Sequence, residues 1–342
     1  MTDTSPLVSI VVLCYNGSPH LKTCLDSIEH LTYKNIEVIL VDNASTDNSV
    51  DIVKSNYPWV RIVSNDRNLG YTGGNNVGAR VANGKYIFFL NQDTEIDCRC
   101  LDNLVNVIEK DDKIGICGCK ILLFYNRHYF HHAGGEYNLI GITLDRGRYD
   151  FDEGQYNKVE NVTFANGVAL LVRKNLLRKI GLFDPKFFAY NEDVDICLRA
   201  WMSGNRVVYV PKAVVYHKLG ANFGRLSPIT IFHASKNNLI ILFKNISPRE
   251  MLFLPMLAFA YRVALITAYL KKREPAKARA VMSAAVWAFK NISHIMCERT
   301  ALKSVKTGLY SEFINAKIRT LRFQEYWIMA ERMFSLSENK NL

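Results

Sequence analysis

The 342-residue chain has no internal repeat and no low-complexity segment, which argues against a repeat architecture and against extended disorder. It also lacks the pattern of a secretory leader. The first apolar run, Leu7 to Leu13, has no basic residues ahead of it and no small-residue cleavage site behind it. A reducing cytoplasm is therefore the expected home of its eight cysteines. The C-x₂-C spacing common in structural zinc sites is missing: Cys98/Cys100 and Cys117/Cys119 are C-x-C pairs, and Ile116 to Ile121 alternates like a buried strand. Small buried hydrophobes are preferred to a zinc site.

A glycine-rich phosphate cradle is absent too. "GYTGGNNVG" has neither G-x-G-x-x-G spacing nor a following Gly-Lys-Ser/Thr, and the first strand-to-helix turn, "CYNGSPH", is not glycine-rich. This disfavours a dinucleotide-binding fold, a P-loop and a nucleotidyltransferase with a phosphate loop after its first strand. A tight turn with close helix packing is the plain alternative for that cluster.

Acidic residues are scarce in one part of the chain only. Residues 1–219 carry 24 Lys+Arg against 25 Asp+Glu, whereas residues 220–342 carry 19 against 7. The basic third is expected to meet something anionic, a membrane surface or nucleic acid. Nucleic acid is the poorer fit, because the basic residues interleave with long aliphatic runs and no nucleic-acid module is present.

What is present reads as a folded protein of one large domain or two, 49% hydrophobic and 22% charged. From Leu7 the chain alternates: "LVSIVVLCYN", a helix opened by Ser18 and Pro19, "IEVILVD", a helix opened by Ser45 or Thr46, then "VRIVSN". Near-continuous Val/Ile/Leu strands between amphipathic stretches predict an α/β fold, with a mainly parallel sheet covered on both faces. "KYIFFLNQD" and "IGICGCKILLF" are further strands, residues 125–156 read as irregular, and "RVVYVPKAVVYH" reads as a strand pair interrupted by Pro211. In such sheets ligands bind at the carboxyl ends of the strands, where Tyr15, Asp42, Asn65 and Asp93 fall.

The stretch "FFLNQDTEID" poses the chemical question, since it starts as a buried strand and ends in acids. A diphosphate without a glycine cradle needs another counter-charge. Asp93, beside Asn91 and Gln92, offers hard oxygen ligands for Mg²⁺ or Mn²⁺. Helix-capping acids are the alternative, one that suits Asp97 better than Asp93. In "NEDVDICLRA", Glu192 and Asp193 point in different directions on a helix, while Glu192 and Asp195 share a face. His217 ends the strand "AVVYH" as a core histidine or a metal ligand.

Taken in order, "VSIVVLCYNG", "VILVDNASTDNSV", "NDRNLGYTGGNNVG", "YIFFLNQDTEID", "NGVALLVRK", "GLFDPKFFAYNEDVDICLRAW" and "YH" resemble family 2 inverting glycosyltransferases of the GT-A fold, in particular their rhamnosyltransferase-like group. The resemblance covers about residues 6–220. It implies that Asp42 and Tyr15 line the base pocket of a nucleotide-sugar donor and that Asn68 and Asn75 line the donor site. Asn91-Gln92-Asp93 stands at the family's D-x-D metal motif, with Asp93 touching the cation and His217 completing its coordination. Asp193 would be the general base and Glu192 would support the acceptor site. Asn91 replaces the first Asp of D-x-D and Gln92 stands where related enzymes often carry Pro, so metal affinity would be weak or rest on one carboxylate. The implied donor is a dTDP- or UDP-sugar, with dTDP-rhamnose the first choice. The competing expectation is a glycosyltransferase-like scaffold at the membrane that has lost turnover.

Two regions are expected: a GT-A domain over residues 1–222 and a basic, apolar helical region over residues 223–342. Residues 251–270 are long enough to span a bilayer but contain Pro255 and Arg262. A helix lying in the headgroup plane is preferred, with Lys244, Arg249, Lys271, Lys272 and Arg273 facing anionic lipid. A true span, or a helix packed inside the fold or in a homodimer interface, are the alternatives. A peripheral enzyme on the cytoplasmic face of the membrane, acting on a lipid-linked glycan acceptor, is the resulting expectation.

Overall fold

The expected alternation of strand and helix is borne out in the computed structural model, which describes residues 5–138, 142–219, 227–245 and 250–303. The first half runs β1 (Val8–Cys14), α1 (Leu21–Glu29), β2 (Ile36–Asp42), α2 (Ser49–Asn56), β3 (Arg61–Ser64), α3 (Gly70–Val81), β4 (Tyr86–Asn91), β5 (Thr94–Ile96), α4 (Cys100–Ile108) and β6 (Ile114–Leu123). Short strands follow: β7 (Phe130–His132), β8 (Gly135–Tyr137), β9 (Thr143–Asp145) and β10 (Glu160–Asn161). Then come β11 (Ala169–Arg173), α5 (Lys174–Ile180), α6 (Glu192–Met202) and β12 (Arg206–His217). The basic third contributes α7 (Pro228–Asn245), α8 (Leu254–Lys271), α9 (Pro275–Lys290) and α10 (Ile292–Lys303).

The main path of the large sheet has the order β10-β12-β6-β11-β4-β1-β2-β3. β1 runs parallel to β2 and β4, β2 to β3, and β6 to β12. β11 is antiparallel to both β4 and β6, so six long strands point one way and β11 alone returns among them. Period-two alternation sends Val11, Ile39 and Phe89 into one apolar layer and Ile10, Val38 and Phe88 into the other. The helices α1, α2 and α4 cover the second layer; α3, α5, α6 and α7 cover the first. Full burial of each large side chain contributes roughly 1.5–3 kcal/mol.

The glycine cluster of α3 is a packing device. A Cβ at Gly74 would lie 2.2 Å from Leu13 Cδ1, and one at Gly78 would lie 2.3 Å from Val11 Cγ1. Only hydrogen at these positions lets the helix axis approach β1 this closely. Six of the eight cysteines are buried, within the two apolar layers.

Several expectations change. The stretch read as irregular contains β7, which extends the main sheet beside β6, and the β8–β9 hairpin. The strand pair around Pro211 is one long strand, and the register shift between Val210 and Val214 absorbs the proline as a bulge. The expected boundary at 222/223 lies outside the described residues. Beyond it, Ile240, Ile241 and Ile295 join the same apolar layer as α6. Lys244 is not a lipid-facing cation: it is buried and pairs with Asp195 at 3.0 Å and Asp184 at 3.4 Å. Arg249 lies outside the described residues, while Lys271, Lys272 and Arg273 are exposed as expected.

Candidate active site

The six parallel strands end on one edge of the sheet, and β11 begins there. Along that edge lie the turn after β1 with Tyr15, Asp42 at the end of β2, Asn65 after β3, Asn91 at the end of β4, and His217 at the end of β12. The N–H of Asn91 donates to the carbonyl of Val168 at 3.0 Å, which brings the approach to β11 against the acidic turn.

At the β1–β3 end, Asp42 is 5% exposed and its Oδ1 accepts the Ser45 N–H at 3.2 Å. Two left-handed non-glycine residues, Asn16 and Ala44, shape the turns on either side. These turns are cross-linked: the Asn16 N–H donates to Ser45 Oγ at 2.9 Å, and the Thr46 N–H donates to Asn16 Oδ1 at 2.8 Å. Asn43 is the hub behind them. Its Nδ2 donates to Asn68 Oδ1 at 2.9 Å and to the Gly70 carbonyl, while its Oδ1 accepts from Asn65 Nδ2 and the Leu69 N–H. Asn68 thus sits in a network at the entry to α3. Asn75, in the second turn of that helix, donates to the Tyr71 carbonyl at 3.0 Å, and its buried Oδ1 has no partner among the described residues.

Gln92 has a job that its place in the sequence does not announce. Its side-chain amide makes a reciprocal pair with the backbone of Tyr15, accepting the N–H at 3.0 Å and donating to the carbonyl at 3.1 Å. It ties the ends of β1 and β4 together. The Asn91 side chain stays partly exposed beside it.

Asp93 and His217 meet, with Oδ2 and Nε2 3.3 Å apart. Burial pushes the Asp93 carboxyl up, but the charge and hydrogen bond of His217 outweigh it and hold the group below the usual carboxylate range. The His131 ring lies against His217, Nδ1 to Nδ1 at 3.3 Å. Among the described residues no three acids, histidines or cysteines gather as a closed cage. One carboxylate and one imidazole are donors that suit a divalent cation, which these two side chains alone would hold at only two positions.

The second acidic group stands on α6. Asp193 Oδ2 accepts the Gly167 N–H at 2.8 Å, and its Oδ1 accepts the Val194 N–H at 2.8 Å. Burial pushes the Asp193 carboxyl up to about 6. The Tyr71 hydroxyl donates to the Gly167 carbonyl at 2.6 Å, fixing the peptide that holds Asp193. Glu192 is 7% exposed, and burial together with the Asp193 charge pushes it well above the carboxylate range. Asp195, which shares a helix face with Glu192, is instead structural. Its Oδ2 pairs with Arg199 at 2.9 Å and its Oδ1 with Lys244, and these cations outweigh burial to keep it ionised.

The loop delivering Glu192 and Asp193 is strained, with Phe188, Tyr190 and Asn191 all in the left-handed region. Helix α7 holds it in place. The buried Asn237 amide donates to the carbonyls of Phe187, Ala189 and Tyr190 at 3.1, 2.8 and 2.6 Å. Lys236 donates to the Lys186 carbonyl at 2.5 Å, and Asn191 Nδ2 donates to Asn238 Oδ1 at 2.8 Å. Asn43, Tyr71, Gly167, Lys236 and Asn237 were not among the sequence candidates. The polar run "SKNN" inside an otherwise apolar helix is the signal that could have found the last two.

A mostly parallel sheet that carries an acid–histidine pair and a buried carboxylate along one edge is the architecture of the GT-A fold. The chain belongs to glycosyltransferase family 2: the sequence model of "Glycosyl transferase family 2" matches residues 9–181, just over half of the protein. It is 28% identical over 247 residues to the N-acetylglucosaminyl-diphospho-decaprenol L-rhamnosyltransferase of Mycobacterium tuberculosis, covering 66% of this chain and 79% of that one. An uncharacterized glycosyltransferase of Haemophilus influenzae is 26% identical, over 64% of this chain and 68% of the relative. Among solved structures, GalNAc-T7 with UDP, GalNAc and Mn²⁺ superposes with a TM-score of 0.57 at 18% identity. That match covers 68% of this chain and 48% of the other, so the chain spans about half the length of that neighbour. The mannosyltransferase PcManGT of Pyrobaculum calidifontis, with GDP-Man and Mn²⁺, gives 0.52 at 18% identity over 89% of this chain and 86% of that one. These two likenesses are of fold.

Proposed function

We propose that this glycosyltransferase moves a sugar, with inversion, from a pyrimidine nucleoside-diphosphate donor to a hydroxyl of a lipid-linked glycan acceptor. The observation that carries the proposal is the gathering of Asp42, the Asp93–His217 pair and Asp193 on one sheet edge. Asp42 and the Tyr15 backbone take the base, with Asn68 and Asn75 bordering the donor. Gln92 acts through Tyr15 and positions that pocket without touching the donor.

Asp93 and His217 would hold Mg²⁺ or Mn²⁺ against the diphosphate, and that ion would supply electrostatic stabilisation of the leaving group. Asp193, ionised above its raised pKa, accepts the proton of the attacking hydroxyl at Oδ1 or Oδ2. The Gly167 N–H orients that carboxylate. Glu192, whose carboxyl is pushed up by burial and by the Asp193 charge, supports the acceptor side. dTDP-rhamnose is the first-choice donor, supported by the mycobacterial relative, whose name also gives a polyprenyl-diphosphate sugar as acceptor.

The basic third supports a membrane-bound acceptor. α8 is long and apolar enough to cross a bilayer by length and composition, with a mean hydropathy of 1.2 and 17% of it buried. Arg262 does not interrupt its outer surface: it is buried and donates to the carbonyls of Ala258 at 2.8 Å and Ser235 at 3.5 Å. The exposed side carries Met256, Leu257, Phe259 and Val263, continued on α9 by Val286 and Phe289. Lys271, Lys272 and Arg273 rim this platform, which suits a peripheral attachment to anionic lipid on the cytoplasmic face.

The test is a thermal-shift screen against dTDP, UDP, GDP and CDP, each with and without Mn²⁺. A metal-dependent rise in Tm for dTDP or UDP that disappears in Asp93→Ala is expected. No shift with any nucleotide would favour a scaffold that has lost turnover, which the replacement of the first D-x-D acid by Asn91 keeps open.

A further inference from the structure

Where β6 ends, the chain leaves the sheet through a hairpin, residues 124–129, that leads into β7. The Phe124 N–H donates to the carbonyl of His217 at 3.0 Å, so the hairpin is bonded directly to the residue facing Asp93. Strand order places β1 and β2, with Asp42, on one side of Asn91 and Gly167, and β6 and β12 on the other. If the nucleoside lies over β1 and β2, the hairpin flanks what remains of the edge.

This flank is aromatic and open. Tyr125 is 78% exposed and Phe151 48% exposed. Phe151 stacks on His128 with ring centroids 5.9 Å apart and planes at 26°, and the Tyr129 ring meets its edge at 5.4 Å. Tyr125 packs edge-on against Phe124 at 5.1 Å. Arg127, in the same hairpin, is locked: it makes a two-pronged pair with Glu95, both contacts 2.8 Å, and lies 4.2 Å over the Tyr216 ring. The Asp152 N–H donates to the His128 carbonyl at 2.7 Å, and Lys120 pairs with Asp152 at 2.6 Å, which anchors the segment bearing Phe151.

Exposed aromatic rings held on a preorganised frame supply rigid contact area at little entropic cost. Its composition selects the ligand. A pyranose ring offers an apolar C–H face that packs on an aromatic plane, and equatorial hydroxyls that bond to planar groups such as the Arg127–Glu95 fork and the imidazole of His128. A lipid chain would want aliphatic neighbours, and those lie on α8 and α9. A nucleic-acid strand would want unpaired cations, whereas Arg127 is neutralised by Glu95.

We propose that Tyr125, His128 and Phe151 form a saccharide subsite that stacks a ring of the acceptor glycan beyond the sugar bearing the attacked hydroxyl. This rests on the glycosyl-transfer reading of the edge. The site holds carbohydrate by itself, without the donor, and makes the enzyme selective for acceptors of two or more sugars.

The experiment is saturation-transfer NMR of the full chain with a panel of free disaccharides, chitobiose and rhamnose-containing sugars among them, on wild type and on Tyr125→Ala/Phe151→Ala. At least one sugar should bind the wild type and bind the double variant about tenfold or more weakly, the scale of one or two aromatic stacks. Tyr125→Phe/Phe151→Tyr, which keeps both rings, should retain binding. Both positions are exposed, so the variants should melt with the wild type, and their dTDP or UDP shift should persist. A panel with no binder, or binding that survives the alanine variant, overturns the subsite. If the nucleotide shift persists, that failure leaves glycosyl transfer standing; if the wild type shows no nucleotide shift, it is the transfer reading that fails.

Discussion

Asn237 donates its side-chain amide to the carbonyl of Tyr190 at 2.6 Å, joining α7 to the loop that delivers Asp193. Tyr190 holds a left-handed conformation, so its peptide is under strain that the surrounding structure must maintain. Asn237→Ala removes three such contacts at once and should let the loop relax. The expected outcome is a kcat lowered by about tenfold or more with donor affinity unchanged. Equal loss of donor binding would show that the clamp supports the whole edge rather than the base.

The raised pKa of Asp193 predicts a pH profile. If Asp193 is the base of the proposed transfer it works as a carboxylate, so kcat/KM should fall about tenfold per unit below pH 6 and level off above it. The sign for stability is opposite. A folded-state pKa above the unfolded value means that ionised Asp193 destabilises the fold at neutral pH, and this penalty fades as pH drops through about 6. Asp193→Asn should therefore reduce transfer about 10²- to 10⁴-fold without lowering Tm or the nucleotide shift. Undiminished transfer removes Asp193 from the role of base.

Lys244 and Asp195 are both about 1% exposed, and their pairing joins α7 to α6. Breaking a buried ion pair from one side costs about 3–5 kcal/mol. Lys244→Met should lower stability to denaturant by the lower part of that range, since Arg199 still faces Asp195. A chain ending at residue 222 should fail to fold for the same reason. A soluble truncated chain with an intact nucleotide shift would show that α7 is dispensable to the catalytic unit.

Phe259 and Val286 are 65% and 53% exposed on adjacent helices. Phe259→Asp/Val286→Asp should abolish co-sedimentation with vesicles containing anionic phosphatidylglycerol, and wild-type binding should weaken as salt rises. A concentration-dependent dimer that the same substitutions dissociate, with no vesicle binding in wild type, would assign the surface to a second copy of the chain.

Much of the sheet is legible from residue order because its strands are buried on both faces and so read as unbroken runs of Val, Ile, Leu and Phe. The edge is legible for a related reason: polar residues directly after such a run, as in "FFLNQD", have no place inside the sheet. Side-chain direction within a turn is not legible. Gln92 and Asp93 are neighbours, yet one bonds to the backbone of Tyr15 and the other faces His217, because the chain turns between β4 and β5. The basic third misleads for a similar reason, since Lys244, Arg262 and Lys271 look alike in a list but differ in which helix face they occupy.

Sequence by itself determined the α/β class, the strand order in time, the acidic edge and the basic, apolar character of the last third. These follow from local rules of periodicity and chain chemistry. Tertiary structure decided which carboxylate is paired, which has its pKa raised by burial, and that α7 packs into the same apolar layer as α6. Burial, desolvation and the meeting of residues far apart in the chain exist only once the layers have packed.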